Sequence, residues 1–405
     1  MASLGTLLRK IGRTSSLKKV VFVSYGTFDC NSAGHIAGFA RRLGQLGYAV
    51  GVSGRDGVLD VHAFGDPAFA FFTNQDLVDD PPGVIGFDGA FEPERTVMLC
   101  WTPRKASRRT VSKVARRCAI PYLVHFEDNE DHLTLLRLGL DGEDPQPAQL
   151  AAGAEDAAER QVLLQGALGA TVIDSRLQEV LPVGLPSLLL EPGVDTSVFG
   201  SPLPPYRRAS LLRAIGAPAA AAVIVYPGNV HRANLAEVAE LYRAVRLLRE
   251  RGRELVLVKT GTDDTSLAGA PDGASSGVLD LGMVDRAVLI DLMKCADLFV
   301  QPGAPGPFND YRLPSKLPEF MAIGRPIVLP RTNVGLRLRH GTDAMLLDTG
   351  SAEEIADSVE AILADAALAA RLSANARAFA VRTYDWNRQG DLLAGFLERL
   401  HRARP

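Results

Sequence analysis

Short apolar runs alternate with helix-length segments along almost the whole 405-residue chain, and the alternation occurs twice. In the first half, we predict strands at residues 20–24, 49–53, 68–72, 97–101, 122–126 and 170–174. In the second half, we predict them at residues 223–227, 254–258, 277–281, 298–302, 326–330 and 344–348. This pattern is typical of βαβ units with helices on both faces of a parallel sheet. Because one hydrophobic core rarely grows beyond about 250 to 300 residues, the sequence predicts two α/β domains.

The composition excludes several other classes of protein. Hydrophobic residues make up 47% of the chain and charged residues 22%, which is ordinary for a globular protein. The four cysteines form no CxxC pair, so neither a disulfide framework nor a zinc site is indicated. No apolar run approaches the roughly 20 residues that cross a bilayer. We therefore expect a cytoplasmic protein, with a peripheral position at the cytoplasmic membrane face as the alternative.

Domain boundaries are predicted from composition. Residues 1–18 form an amphipathic basic segment, and the run SPLPPYRR at residues 201–208 reads as a linker. Between and after them lie an N-terminal domain at 19–200 and a C-terminal domain at 209–383. A last helix, at 384–405, follows.

The segment at residues 308–330 is the richest candidate site, because ligands of doubly wound sheets lie beyond the carboxyl ends of the strands. Pro314 and Ser315 predict a helix start whose exposed amides attract anions, and Lys316 adds a positive charge. Glu319, one turn later, can accept hydrogen bonds from a diol. Together they predict a site for a nucleotide diphosphate. The alternative is that Ser315 only caps the helix and that Glu319 only pairs with Lys316 or Arg325.

The run PSKLPEFMAIGRPIV resembles the conserved segment of glycosyltransferase family 4. Further similar segments are LLLEPGVDTSVF at 188–199, the stretch at 281–303 and the YDW at 384–386. The resemblance implies a GT-B fold, in which two Rossmann-like doubly wound domains face each other across a cleft and the C-terminal helix crosses back to the first domain. It also implies transfer of a sugar from a nucleotide-diphosphate sugar, with retention of anomeric configuration. The domain at 19–200 would bind the acceptor, and the domain at 209–383 would bind the nucleotide-sugar donor.

The resemblance also implies roles for individual residues. Glu319 would bind the ribose hydroxyls, Ser315 and Lys316 the diphosphate, and Met283 and Val284 the base. The remaining matches are Gly34 in the family's glycine-rich loop, Gly228 in the phosphate loop and His125 at the donor sugar. A histidine at a strand end can instead be purely structural. Glu127, in the acidic run after His125, is expected at the cleft mouth and in acceptor binding.

The chain departs from the family pattern at two places. Tyr311, with Asp310 beside it, stands where members often have an acidic residue eight positions before Glu319. The phosphate loop has Asn229 in place of an arginine, and we expect Arg232 or Lys259 to compensate. Helix starts, Lys316 and Arg232 would then neutralise the leaving diphosphate, with no metal or other cofactor. Since no nucleophile is evident, front-face attack within an ion pair is favoured over double displacement.

Seven cations and no acidic residue lie in the helix predicted from Arg104 to Arg117. With the amphipathic N-terminal segment, they suggest an anionic membrane surface that carries a lipid-linked acceptor. The alternative is a solvated basic face. Nucleic acid is not expected, because aromatic residues are not interleaved with the cations.

These observations predict a glycosyltransferase whose acceptor is a glycan, a lipid-linked molecule or a small molecule. Two alternatives share the fold and the donor. One is a nucleotide-sugar-binding protein without activity, given Tyr311, and the other is a GT-B sugar-nucleotide epimerase. A dinucleotide oxidoreductase is disfavoured, because no GxGxxG run follows the first strand of either half.

Overall fold

The protein divides into two compact units in a computed structural model that describes residues 17–28, 31–55, 69–138, 146–231, 233–262 and 277–404. One unit consists of residues 1–191 together with residues 386–405, and the other consists of residues 192–385. The predicted basic segment lies outside the described residues up to position 16.

The first unit is built on one parallel sheet with the strand order β3-β2-β1-β4-β5-β6-β7. Its strands are β1 (Lys19–Ser24), β2 (Ala49–Gly54), β3 (Ala70–Thr73), β4 (Thr96–Trp101), β5 (Tyr122–Phe126), β6 (Gly169–Val172) and β7 (Ser187–Leu189). Every residue of β1, β4 and β5 is buried. Helices on both faces remove these strands from water, which is why they are continuous apolar runs in the sequence.

Among the described residues, six helices accompany this sheet before the chain enters the second unit. They are α1 (Asn31–Gln45), α2 (Asn74–Asp79), α3 (Pro81–Ile85), α4 (Lys105–Cys118), α5 (Glu130–Leu138) and α6 (Pro147–Gln165). The same described segments also contain the 3₁₀ turns Pro93–Arg95 and Ser175–Val180.

The second unit holds two parallel three-stranded sheets, β10-β9-β8 and β11-β12-β13, linked by one bridge between Ile224 and Leu298. Its strands are β8 (Ala222–Pro227), β9 (Leu255–Thr260), β10 (Val278–Asp280), β11 (Phe299–Val300), β12 (Ile327–Pro330) and β13 (Met345–Leu347). Its helices are α7 (Thr196–Gly200), α8 (Pro205–Ala214), α9 (Leu235–Glu250), α10 (Arg286–Cys295), α11 (Leu317–Ile323), α12 (Ala352–Ala364) and α13 (Ala366–Thr383), with a 3₁₀ turn at Asn333–Arg337.

The last helix, α14 (Trp386–Arg402), returns to the first unit and packs on α1. The Trp386 ring meets Phe39 edge to face, with ring centroids 5.3 Å apart. Gly38 leaves the space for that indole, because a Cβ atom there would overlap it. Leu393 and Leu397 join the core that β1, β2 and β4 form with α1. The predicted return of this helix is thus observed.

The structure differs from the sequence prediction at the linker. Residues 205–208 open helix α8, because Pro205 occupies its first turn, where the fixed φ of proline suits a helix. Arg207 and Arg208 then pair with Asp291 and Asp297 of the same unit. These ion pairs fold the segment onto the second unit.

Strand β7 was not predicted from sequence. Its residues are only partly buried, so the apolar signal of an inner strand is weak there. No helix among the described residues has the length and the apolar character needed to cross a membrane.

Candidate functional site

The ammonium of Lys316 lies against bare backbone at the carboxyl end of β8. Its Nζ atom is 4.1 Å from the ring centroid of Tyr226, and a Cβ atom on Gly228 would overlap it. Burial lowers the pKa of Lys316 to about 7, and the nearby charge of Arg312 acts in the same direction. A cation that is partly desolvated in this way gains when an anion arrives beside it.

Arg312 is a second cation beside Lys316, and the sequence analysis did not identify it. Its guanidinium lies 3.8 Å from the ring centroid of Phe308 and donates to Asn309 Oδ1 at 2.8 and 3.0 Å. It also donates to Glu237 at 3.4 Å. Burial raises the pKa of Glu237 although Arg312 opposes the rise. The sequence signal that could have indicated a partner for Arg312 was Glu237. It lies in the first turn of α9, directly after the phosphate loop.

Helix α11 begins at Leu317, later than the start predicted at Pro314 and Ser315. Lys316 is its N-cap, without a side-chain cap bond, and Pro318 occupies the first turn. Pro314 instead accepts the bond from Leu317 N that closes the preceding turn at 3.0 Å. Ser315 lies half-buried within that turn. Capping by Ser315 is therefore not observed.

Glu319 forms an ion pair with Arg286 of α10, in which Arg286 Nη1 lies 3.4 Å from Glu319 Oε2. Among the described residues, Glu319 thus pairs with Arg286 rather than with Lys316 or Arg325, the two partners considered in the sequence. Arg286 also lies over the ring of Phe199, 5.5 Å from the centroid. The carboxylate proposed for a ribose is thus held by a cation that is mostly exposed.

The other predicted residues of the second unit differ in accessibility. Met283, just beyond β10, is 72% exposed, and Val284 is half-buried. Lys259 is fully buried, with Nζ 3.0 Å from Asp280 Oδ2 and 3.2 Å from Gly261 O. That ammonium is engaged at the end of β9, and its phosphate role stays a prediction. Arg232 lies outside the described residues.

Asp310 supports its own loop. Its Oδ1 atom accepts from Gly306 N at 3.1 Å and from the hydroxyl of Thr332. Tyr311, next in the chain, is half-buried. A role for either residue toward the donor stays a prediction.

In the first unit, the carboxylate of Glu127 interacts with three hydrogen-bonding side chains at the carboxyl end of β5. Its Oε1 atom lies 2.6 Å from His35 Nδ1, and Oε2 accepts from Thr102 Oγ1 at 2.9 Å and from the Ser32 hydroxyl. Burial opposes ionisation of this carboxyl, but the hydrogen bond and the charge of His35 hold its pKa well below the ordinary value. Glu127 was a predicted site residue, whereas Ser32 and Thr102 were not.

Thr102 is strained at the point where β4 ends. Its φ is 58°, in the left-handed region that a β-branched residue rarely adopts. Its amide donates to His125 O at 2.9 Å, and its hydroxyl reaches Glu127. Strain of this kind costs on the order of 1 to 3 kcal/mol and is concentrated at functional sites.

His125 is 1% exposed and stacks on Trp101, with ring centroids 3.8 Å apart. Its Nδ1 atom lies 2.8 Å from Thr171 Oγ1. Burial lowers the pKa of His125 to about 3, so the ring is neutral at physiological pH.

Gly34, in the first turn of α1, has open space where a side chain would be.

The cations of α4 are partly neutralised by helix α6. Arg108 lies 2.8 Å from Asp156 and 2.6 Å from Glu159, and Arg109 lies 2.8 Å from Glu159. Arg104, the N-cap of α4, pairs with Glu130 at 3.1 Å. The predicted all-basic helix therefore faces acidic neighbours along part of its surface.

Residues 221–365 match the family model described as "Glycosyl transferases group 1". A D-inositol 3-phosphate glycosyltransferase from Thermobispora bispora is 27% identical over 427 residues, covering 94% of this chain and 93% of the relative. HepE from Anabaena, solved with UDP, has a TM-score of 0.68 and 16% identity and covers 94% of this chain and 100% of HepE. A glycosyltransferase from Rickettsia africae has a TM-score of 0.70 at 11% identity, covering 96% and 100%.

The chain thus has the GT-B fold, with two Rossmann-like domains of parallel sheet. The family-model match and the full-length relative support a glycosyltransferase.

Proposed function

We propose that the protein is a retaining glycosyltransferase of family 4 that moves a hexosyl group from a nucleotide-diphosphate sugar to an acceptor hydroxyl. The observation that carries this proposal is the Lys316 ammonium lying against the backbone of Gly228 at the carboxyl end of β8. HepE from Anabaena has been solved with UDP and with UDP-glucose, which supports a nucleotide-sugar donor.

The donor diphosphate would lie beside Lys316 and Arg312. Burial destabilises the protonated form of Lys316. A diphosphate bound beside it would therefore stabilise the ammonium and raise its pKa. Glu319 would exchange Arg286 for the ribose hydroxyls. The exposed Met283 and the neighbouring Val284 would contact the base.

In the reaction, the bond from the sugar C1 to the leaving phosphate oxygen breaks, and the acceptor oxygen forms its bond on the same face. The acceptor proton passes to the departing phosphate. Lys316, Arg232 and backbone amides would neutralise that phosphate without a metal. Glu127 is a weak nucleophile because three donors stabilise its anion, which favours the ion-pair route.

His125 would act on the donor sugar as a neutral hydrogen-bonding group, since burial keeps its pKa near 3. The first unit would bind the acceptor, with Glu127 at its edge. The relative from Thermobispora bispora supports a small hydroxylated acceptor, and a glycan or a lipid-linked molecule is the alternative. We place the enzyme in the cytoplasm or at the cytoplasmic membrane face.

A thermal-shift panel tests the donor site with UDP, GDP, ADP and TDP, their common sugar conjugates, and NAD as the control. Ligand at about a hundredfold over its Kd stabilises by about 2.7 kcal/mol. We expect one nucleotide family to raise Tm, Glu319→Ala to reduce the shift, and Arg286→Ala to keep it because the carboxylate is released. An equal loss in both variants would show that the ion pair, and not Glu319 itself, is what the site needs.

One observation favours a second candidate, a nucleotide-sugar-binding protein without transferase activity. Tyr311 replaces the family's frequent acidic residue, and the Asp310 carboxylate is used within its loop. Donor binding without hydrolysis or transfer, over a panel of acceptors, would favour this candidate. Conversion of the donor to its epimer without an acceptor would instead indicate the epimerase.

A further inference from the structure

The loop that follows β8, where the donor phosphates are expected, uses its asparagines to support its own backbone. The Oδ1 atom of Asn229, which stands in place of an arginine, accepts from Thr262 N at 2.9 Å. Asn234 donates to Asn229 O at 3.0 Å and accepts from His231 N at 2.8 Å. Apart from Arg232, which lies outside the described residues, this loop has no arginine or lysine. Positive charge at the diphosphate therefore has to come largely from other elements.

Arg312 supplies a cation from the loop between β11 and α11, and neighbouring side chains fix its orientation. Its guanidinium lies 3.8 Å from the ring centroid of Phe308 and donates through Nε and Nη2 to Asn309 Oδ1, at 3.0 and 2.8 Å. Asn309 is buried, donates to Ala304 O at 2.9 Å and accepts through its carbonyl oxygen from Asn333 Nδ2 at 2.9 Å. Because Asn309 is anchored in this way, the guanidinium loses little further freedom when it binds an anion.

Glu237, in the first turn of α9, holds the same guanidinium from a second element. Its Oε2 atom lies 3.4 Å from Arg312 Nη2, and its Oε1 atom accepts from Asn309 Nδ2. Gly303 leaves the room for this contact, because a Cβ atom there would lie 3.2 Å from Glu237 Oε1. The Glu237 side chain is only 17% exposed, and burial raises its pKa. A carboxylate that is costly to bury is thus kept where it contacts Arg312.

Arg312 and Lys316 are two cations whose mutual repulsion Glu237 offsets. The charge of Arg312 acts together with burial to lower the pKa of Lys316, whereas Glu237 opposes that shift. Both cations in turn oppose the rise in the pKa of Glu237. Two cations and one carboxylate leave a net positive charge that attracts an anion. An arginine fork beside an ammonium is a combination that binds phosphate oxygens well.

We propose that Arg312 takes the place of the missing phosphate-loop arginine at the donor diphosphate, and that Glu237 is the positioning residue that holds its guanidinium there. This inference rests on the proposed donor site and adds the two residues that complete its charge. Since β8 and β11 run parallel, the loops that follow them lie at the same edge of the second unit. The cation has moved from one of these loops to the other.

The first experiment measures binding of inorganic pyrophosphate to the full-length protein by calorimetry. Pyrophosphate carries the charge of the diphosphate but no base, ribose or sugar. We expect Arg312→Ala to weaken binding by about tenfold or more and Glu237→Gln by about threefold or more, because a charge-assisted bond or its orientation is lost. The controls are Arg251→Ala and Glu360→Gln, which break a surface ion pair at the other end of α9 and should change the affinity by less than about twofold.

A double-mutant cycle separates positioning from a local effect of charge. If Glu237 acts through Arg312, Glu237→Gln should weaken binding in the wild type but not in Arg312→Ala. Loss of a nearby negative charge would by itself strengthen the binding of an anion. Stronger or unchanged binding in Glu237→Gln, or the same weakening in both backgrounds, would therefore overturn the role of Glu237.

Arg312→Lys is the variant that covers a failure of Arg312→Ala to fold. It keeps the charge and most of the side-chain volume but removes the planar fork that spans Asn309 and Glu237. We expect pyrophosphate to bind this variant about threefold or more weakly than it binds the wild type. Full affinity would show that a point charge is enough, which would contradict the proposal.

The inference and the proposed function can fail separately. If pyrophosphate binding depends on Arg312 and Glu237 but no nucleotide sugar serves as a donor, the proposed function fails and the anion site stands. If Arg312→Ala transfers a sugar as efficiently as the wild type, the inference fails and the proposed function stands. A wild type that binds a nucleotide sugar but no pyrophosphate would likewise overturn the inference alone.

Discussion

The Nδ1 atom of His35 lies 2.6 Å from Oε1 of Glu127, although the two residues are 92 positions apart in the chain. The pair joins the first helix of the sheet to the carboxyl end of β5. The strained Thr102 donates to the other carboxylate oxygen of Glu127. The three residues together fix the edge of the first unit's sheet.

Replacing Glu127 by Gln should destabilise the first unit by about 2 kcal/mol or more, because the amide cannot accept from three donors while keeping its own donors paired. Both tryptophans, Trp101 and Trp386, belong to this unit, so tryptophan fluorescence in a urea titration reports on it alone. Glu94→Gln, at an exposed position of the same unit, is the control.

The same pair predicts a dependence on pH. The folded-state pKa of Glu127 is lowered, so its stabilising effect is present above the unfolded pKa of about 4.3 and is lost as the pH falls below it. From pH 6 to pH 3.5, the wild type should lose about 1 kcal/mol more than Glu127→Gln. Parallel loss in both proteins would show that other groups dominate acid unfolding.

His125 predicts a second effect of pH, at higher values. Its folded pKa of about 3 lies below the unfolded value of about 6.5, so folding favours the neutral ring and stability falls as the pH drops below 6.5. Between pH 7 and pH 5 this amounts to about 2 kcal/mol. His125→Phe, which keeps a ring over Trp101, should lose that slope, and His132→Phe is a control outside the buried core. An unchanged slope would mean that His125 is charged or solvated in the native protein.

Substituting Gly228 by Ala should weaken UDP binding by about tenfold, because the new Cβ displaces the Lys316 ammonium from the backbone. Gly306→Ala is the matched control, since a Cβ there meets nothing within 4 Å. Calorimetry with UDP gives both affinities. Full affinity in Gly228→Ala would place the diphosphate away from Lys316.

Gly38 should tolerate no side chain. A Cβ atom there overlaps the indole of Trp386, and overpacking of this kind typically costs about 1 to 3 kcal/mol. Gly395→Ala, in the same pair of packed helices, has only an ordinary contact with Arg399 and should be neutral or slightly stabilising. The urea midpoints of the two variants, measured by tryptophan fluorescence, test this difference. An unchanged midpoint in Gly38→Ala would mean that the two helices separate readily.

The parallel strands were predictable because full burial makes them apolar runs, as at β1 and β8. Lys316 and Gly228 were found from short motifs whose residues follow strands or precede a helix. Partners far apart in sequence were not predictable: the pairing of Arg286 with Glu319 spans 33 positions, and that of Lys259 with Asp280 depends on the register of β9 and β10.

The ion-pair partners of the basic helix α4 could not be predicted from the sequence either. Within α4 the cations have no acidic neighbour at helical spacing, so local reasoning leaves them unpaired. Their partners Asp156 and Glu159 belong to α6, and only the packing of the two helices brings them together.

The return of α14 to α1 has a consequence for biosynthesis. Residues 192–385 must be translated before Trp386 can cover Phe39, which takes roughly 10 to 40 s at 5 to 20 residues per second. Until then, Phe39 of α1 lacks the indole that packs on it in the finished protein. The half that is made first is therefore the half that matures last.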